Sequence, residues 1–303
     1  MDYTLTNELQ MLRKMYQEFV ENEVKPLAGE LDEEERFPME TIPKLAKYGF
    51  MGIPYETRYG GQGGNNMAYA MAIEELAKAC GTTATIVAAH TSLCCNPIHD
   101  WGTEEQKMKY LPDLLAGRKI GAFGLTEPGA GSDASRQQTT AVLEGDHYVL
   151  NGSKCFITNA SEADVFIVLA MTDPKAGNHG ISAFIVERGF PGFSVGKHEK
   201  KMGIRGSATC DLIFTDCIVP KENLLGKEGK GFKVAMQTLD GGRVGVAAIA
   251  LGLAEGAIAE AVKYTKERVQ FNKRLSQFQN TQFQLADMQT KTDAAQMLVY
   301  RAA

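Results

Sequence analysis

Hydrophobic positions in the first third of the chain recur at intervals of three and four. Leu9, Leu12, Tyr16, Phe19, Val20, Val24 and Leu27 form one such stripe, which predicts an amphipathic helix with one face in a core. The segment NMAYAMAIEELAKACG (residues 66–81) continues the pattern, and Gly81 predicts its C-terminal stop. Thr103 with Gln106 predicts a capping box at the head of EEQKMKYLPDLLAG (104–117).

After residue 119 the period changes. VFIVLAM (165–171), ISAFIVE (181–187) and CDLIFTDCIVP (210–220) are β-branched and aromatic runs, separated by the turn clusters DPKAGNHG (173–180) and GFPG (189–192). No helix-length pattern lies between them, which predicts an antiparallel sheet or barrel and argues against βαβ units. From residue 229 the helical period returns. Val246, Ala250, Leu253, Ala257, Ala261 and Tyr264 fall on one predicted face, and Leu285, Met288, Thr292, Ala295 and Val299 on another. The expected fold is α+β and multidomain: an N-terminal helical domain (1–119), a central antiparallel β-domain (120–225) and a C-terminal helical bundle (226–303). The last apolar stripe reaches Ala303 without a cap, so we expect the chain to be cut through this helical domain, leaving the bundle incomplete.

Charge and composition narrow the function classes. Net charge is −5 and the Lys and Arg residues are scattered, which speaks against a nucleic-acid partner. The one basic cluster, KHEKK (197–201), reads as a solvated strand edge. TTATIVAAHTSLCCNPI (82–98) is the most apolar early segment, but it is short for a bilayer and carries His90, Asn96 and Pro97, so a buried helix is expected and membrane insertion is not. The start, MDYTLTNELQ, lacks a basic region followed by an apolar run, and a cytoplasmic location is expected. The six cysteines make no C-x-x-C and read as reduced thiols; the histidines show no metal-binding spacing, and no metal is expected.

The stretch GLTEPGAGSDAS (124–135) carries the candidate chemistry. Gly129, Gly131 and Ala134 fit G-x-G-x-x-A, a dinucleotide fingerprint that requires a strand before it and a helix directly after. KIGAFGL supplies the strand, but SRQQTTAVLEGDHYVLNG (135–152) has no helical spacing and reads as a hairpin turning at Glu144–Asp146. A Rossmann site for NAD is therefore not expected. Thr126, Glu127, Ser132 and Asp133 still crowd a glycine-rich loop, where a backbone can approach a flat ring or a phosphate; a plain tight turn is the alternative. One hairpin later, NGSKCFITNA (151–160) sets Phe156 beside Thr158 and Asn159, which suits a ring with a π-face and hydrogen-bonding edges. Phe156 taken alone reads as core packing.

Four segments in order, AFGLTEPGAGSD (122–133), NGSKCFITN (151–159), KMGIRGSATCDLIFTDCIVPKENLLG (201–226) and GKGFKVAMQTLDGGRVGVAAIALG (229–252), resemble the acyl-CoA dehydrogenase family. The chain is most similar to its short-chain, butyryl-CoA-type members, from Leu5 to Ala303. The resemblance implies FAD as cofactor. It implies that Phe123, Leu125, Thr126 and Ser132 line the flavin, and that Phe156, Ile157 and Thr158 form its second wall, with Thr158 near flavin N5. It also implies that Ser132, Asp240 and Arg243 contact the CoA part of the substrate, and that a helix runs through Gly241–Gly242, where local rules read a break and a surface salt bridge. ERVQFNKRLSQFQ (267–279) resembles the stretch that reaches a neighbouring subunit's FAD, which makes Arg268, Gln270, Phe271, Phe278 and Gln279 cofactor candidates and implies a homodimer or homotetramer. Asn272–Lys273–Arg274 departs there from the glycine usual in the family.

The implied activity is α,β-dehydrogenation of a short-chain acyl-CoA thioester, with electrons passed to an electron-transferring flavoprotein. No catalytic residue is assigned: the base is expected C-terminal to Ala303, and the other family position for it, just before Arg243, is Gly242. Acyl-CoA oxidases and flavin monooxygenases share the implied fold and stand as alternatives, as does a truncated, non-catalytic acyl-CoA-binding paralogue. Acyl chain length depends on side chains around Leu93 and Leu239 and is not fixed by the motifs.

Overall fold

The computed structural model describes residues 4–303, so the first three residues of MDYTLTNELQ lie outside the described residues. Among the described residues, seven α-helices come before the first strand: α1 (Asn7–Phe19), α2 (Ala28–Glu33), α3 (Ile42–Lys47), α4 (Asn66–Ala79), α5 (Gly81–Ala88), α6 (Asn96–Trp101) and α7 (Glu104–Leu115). The predicted stripe of α1 points inward, with Tyr16, Phe19, Val20 and Val24 buried. Phe50 packs between Tyr16 and Phe19 with ring centroids 5.0 and 4.9 Å away. The capping box is present: Thr103 Oγ1 accepts the Gln106 N–H, and Gln106 Oε1 accepts the Thr103 N–H. Gly81 corrects its prediction. Extended Cys80 ends α4, and Gly81 opens α5 instead of closing the preceding helix. From Gly81 to Trp101 the chain is a continuous, mostly buried helical rod with a π-helical turn at Ala89–Cys95.

The middle of the chain forms strands β1 (Gly121–Gly124), β2 (Thr140–Glu144), β3 (His147–Thr158), β4 (Val165–Met171), β5 (Ile181–Glu187), β6 (Phe193–His198), β7 (Thr209–Pro220) and β8 (Leu224–Leu225). Their order is β6-β7-β3-β2-β4-β5-β8, with β1 joined to β4. The antiparallel expectation needs correction at β4, which runs parallel to β1 from Gly121↔Val165 to Gly124↔Val168 and parallel to β2 at Thr140↔Met171. The whole β2–β3 hairpin lies between β1 and β4 in sequence, which gives the length a parallel crossover requires. Every residue of β4 is buried because both its faces are covered. Val165, Ile167 and Leu169 face α6, α7 and the π-helical turn, whereas Phe166, Val168 and Ala170 face β3 and β7.

Helix α8 (Gly231–Glu267) spans 37 residues, and a short ribbon of β9 (Val269–Gln270) and β10 (Lys273–Arg274) leads to α9 (Gln279–Ala302). The helix passes unbroken through Gly241–Gly242, so the local rule fails there. The predicted stripe of α8 is also corrected. Val246, Leu253 and Tyr264 are exposed, and the buried face is Gly245, Ala248, Ile249, Leu251 and Gly252, against α4. Small residues won because α4 lies very close: a Cβ on Gly252 would sit 2.2 Å from the Glu74 carbonyl oxygen. In α9, Thr292 and Val299 are buried as expected, whereas Met288 is exposed. Helix α8 is long and apolar enough by composition to cross a membrane, with a mean hydropathy of 1.6 over its best window. It nevertheless bears Glu255, which pairs with Lys78 of α4 at 2.9 Å.

Candidate active site

Two polar loops are brought together at the end of β1. The chain leaves β1 at Gly124 and folds back on itself, with Glu127 and Ala130 exchanging backbone hydrogen bonds of 3.1 and 3.0 Å. Facing it, β3 carries a bulge: Lys154 pairs with Leu212 and Ile157 with Cys210, so Cys155 and Phe156 stand opposite Asp211 alone. The bulge turns Phe156 outward at φ 61° and leaves it 63% exposed. This overturns the core-packing reading of Phe156. A bulky residue at positive φ is rare and persists where surrounding structure holds it for a purpose. The Cys155 N–H donates to the Thr126 carbonyl at 2.9 Å and joins the two loops.

Between the loops lies a cavity of about 190 Å³, walled by Phe123, Leu125, Thr126, Phe156, Ile157 and Thr158, with Ala89, Leu93 and Leu239. Six of the residues singled out in the sequence thus meet in one place. Ile157 contributes mainly from the core side, being 2% exposed. A second cavity of about 520 Å³ shares Ala89, Leu93, Thr158 and Leu239 with the first and extends along α8 past Gly242, Val246, Ile249 and Ala250. It is largely apolar and of the size that small-molecule sites commonly have. Thr85 Oγ1 in its wall is buried and has no hydrogen-bond partner. No Asp or Glu lines either cavity. A third hollow of about 460 Å³ starts at Thr126 and Phe156 and runs over Gly131 and Ser153 to Glu199 and Asp211.

Arg243 lies at the mouth of the apolar cavity, exposed and hydrogen-bonded to Asp240. An exposed pair of this kind adds little stability and leaves both side chains accessible. Asp240 also faces a polar hollow shared with Asp100, Trp101 and Gln237.

Glu127 behaves differently from its sequence reading. It turns inward and pairs with the fully buried Lys154 at 2.6 Å. Burial pushes the Lys154 ammonium down to about 8. Burial acts on Glu127 in the opposite sense, but Lys154 and nearby N–H donors outweigh it and hold the carboxyl below its ordinary range. His90 was not singled out for the site, yet it supports it. Its Nδ1 accepts the Gly121 N–H at 3.0 Å, and Nε2 lies 3.5 Å from Cys95 Sγ, tying β1 to the π-helical turn. Burial pushes this imidazole down to about 4, so it is neutral. Asn159, at φ 67°, donates to the Ile86 and Gly121 carbonyls and fixes the end of the second loop.

The remaining candidates are not gathered here. Ser132 is exposed on the crest of its loop and lines neither cavity. Arg268, Gln270, Phe271, Phe278 and Gln279 follow the far end of α8, about 40 Å along the helix axis from Gly242. Phe271 is 88% exposed there.

Comparison with known sequences accounts for all three regions. Residues 6–118 match the acyl-CoA dehydrogenase N-terminal domain, 122–217 the middle domain and 229–303 the C-terminal domain. The chain belongs to the acyl-CoA dehydrogenase family. The short-chain specific acyl-CoA dehydrogenase of Clostridium acetobutylicum is 59% identical over 303 residues, covering 100% of this chain and 80% of that one. Among solved structures, the butyryl-CoA dehydrogenase of Megasphaera elsdenii superposes with a TM-score of 0.97 at 53% identity, covering 100% of this chain and 80% of that chain. A chain in the structure described as the electron transferring flavoprotein of Acidaminococcus fermentans gives 0.98 at 56% identity, covering 99% of this chain and 79% of its own. An acyl-CoA dehydrogenase from Bacillus anthracis, complexed with FAD, gives 0.93 at 41% identity, over 98% of this chain and 51% of that one. The matched segments run the length of this chain, and the expected truncation finds no support in them.

Proposed function

We propose that this acyl-CoA dehydrogenase uses FAD to dehydrogenate a short-chain acyl-CoA thioester at its α,β bond. The flavin would lie between the Thr126 loop and the Phe156–Thr158 bulge, and the acyl chain would lie in the apolar cavity along α8. One observation carries this reading: the two cavities share Thr158, Leu93, Leu239 and Ala89, so a ring in one adjoins a chain in the other. The residues suit a flavin. An aromatic ring is held outward at positive φ, threonine hydroxyls stand at both walls, and the loop backbone is open on the solvent side at Gly129 and Gly131. Bound FAD would supply the hydride acceptor.

The protein's own residues have separable tasks. Thr126 and Thr158 orient the ring edge, Phe156 covers its face, and Leu93 and Leu239 exclude water and limit chain length. Arg243, released from Asp240, offers planar donors to a CoA phosphate. Removal of the α-proton requires a base within hydrogen-bond reach, and neither cavity offers a carboxylate. The exposed segment from Arg268 to Gln279 would serve the FAD of a second subunit in a homodimer or homotetramer, and an electron-transferring flavoprotein would take the electrons in the cytoplasm.

The absence of a carboxylate from both cavities also favours a second reading, a thioester binder without turnover. Titrating apo-protein with FAD, and then with butyryl-CoA, separates the two. The first reading predicts flavin binding weakened by Phe156→Ala and Thr158→Ala, followed by flavin reduction. The second predicts a shifted flavin spectrum without reduction, and protein that takes up no FAD rejects both.

A further inference from the structure

Three consecutive residues of the first loop are held by two consecutive residues of β3. Lys154 Nζ donates to the Leu125 carbonyl at 3.3 Å, the Cys155 N–H to the Thr126 carbonyl at 2.9 Å, and Lys154 Nζ again to Glu127 Oε1 at 2.6 Å. The third ammonium proton goes to Gln137 Oε1 at 3.0 Å. The Glu127 carboxylate also accepts the Gln138 N–H at 2.6 Å and the Thr139 N–H at 3.1 Å. Every donor of the ammonium and both carboxylate oxygens are therefore engaged. Lys154 is 0% exposed and Glu127 5%.

The place of this cluster matters more than its strength. Lys154 is the last residue paired with β7 before the bulge that ejects Phe156, and Glu127 directly follows Thr126. Neither residue lines the cavity between the walls; both border the adjoining hollow that starts at Thr126 and Phe156, and they reach the gap through those two residues. A buried ion pair is commonly no more stabilising than apolar residues of the same volume. What it supplies is direction, since a fully satisfied polar network admits one arrangement where an apolar contact would admit several.

We propose that Lys154 and Glu127 are positioning residues that set the gap between the Thr126 wall and the Phe156 wall, and so the fit of the flavin ring. This rests on the reading of that gap as the FAD site. The test compares the unmodified protein with Glu127→Gln and with the double variant Glu127→Gln/Lys154→Met, which leaves no unpaired buried charge. Three quantities are read: the melting temperature of apo-protein, the dissociation constant for FAD by fluorescence quenching, and the band structure of the bound flavin.

The expected result is a double variant whose apo-protein melts within a few degrees of the parent, binds FAD at least tenfold more weakly and shows blurred flavin bands. Glu127→Gln, which leaves the Lys154 ammonium without its carboxylate, should melt below both and bind FAD more weakly than the parent. Parent-like affinity and bands in both variants would overturn the proposal. A double variant that does not fold would also overturn it, because the pair would then be a requirement of the fold and not of the gap. Failure of the unmodified protein to bind FAD would instead bring down the site reading on which the proposal stands.

Discussion

Leu93 Cδ2 lies 2.8 Å from the position a methyl group on Gly242 would take. The helix carrying Gly242 and the π-helical turn leading to Leu93 thus approach closely where the two cavities join. In Gly242→Ala the clash is with the tip of a flexible side chain, so Leu93, which lines both cavities, must shift. The expected outcome is an unchanged or slightly raised melting temperature and a roughly tenfold higher KM for butyryl-CoA. Steady-state kinetics beside a thermal melt checks both.

Two other glycines of α8 should respond in opposite directions. A Cβ on Gly252 would meet backbone, the Glu74 carbonyl oxygen at 2.2 Å, and nothing there can rotate away. Gly252→Ala is expected to cost roughly 2–3 kcal/mol through overpacking. Gly241 has nothing within 4 Å, so Gly241→Ala should gain about 0.5–1 kcal/mol from helix propensity. Denaturant unfolding of the two variants measures the contrast.

The neutral, buried His90 makes stability depend on pH. Its folded value near 4 lies below the ordinary 6.5, so the native state binds fewer protons than the unfolded chain in that window. Its contribution is complete above pH 6.5 and is lost as pH falls towards 4, amounting to roughly 3 kcal/mol. In His90→Asn the amide oxygen can still accept the Gly121 N–H but does not titrate. The variant should lose less stability than the parent between pH 6.5 and 4, read from unfolding curves at each pH. Equal acid slopes would contradict the assignment.

Glu255 should act in the opposite sense. Burial, and then the neighbouring Glu74, raise its carboxyl to about 7, with Lys78 opposing them. Arg13, Glu75 and Tyr300 belong to the same network. The folded state then holds an extra proton between pH 4.5 and 7, so stability falls as pH rises through that range. Glu255→Gln is expected to melt above the parent at pH 8, with the difference closing at pH 5.

The contrast between what the sequence told and what it concealed follows physical lines. Local signals were legible: the α1 stripe, the Thr103–Gln106 box, the hairpin at Glu144–Asp146 and the apolar runs of β4 and β5 all depend on near neighbours. The six residues of the first cavity were found through the resemblance together with the loop chemistry of Thr126 and Phe156. What stayed hidden depends on distant partners. Glu127 was read only as one of the polar residues crowding the loop, because Lys154, which draws it inward, is 27 residues away. The buried face of α8 was misplaced because proximity to α4 selects glycine and alanine, whereas stripe reading favours the largest side chains. The Cys155–Phe156 bulge and the parallel β1–β4 pairing leave no periodic trace.

The central claim is that an FAD ring bound between Thr126 and Phe156 lies against a thioester in the cavity beside α8. An anaerobic titration of the FAD-loaded protein with butyryl-CoA, followed by visible absorbance, addresses it most directly. The account predicts that the yellow flavin bands bleach as the thioester is added. Bands that neither bleach nor shift at saturating butyryl-CoA would contradict it.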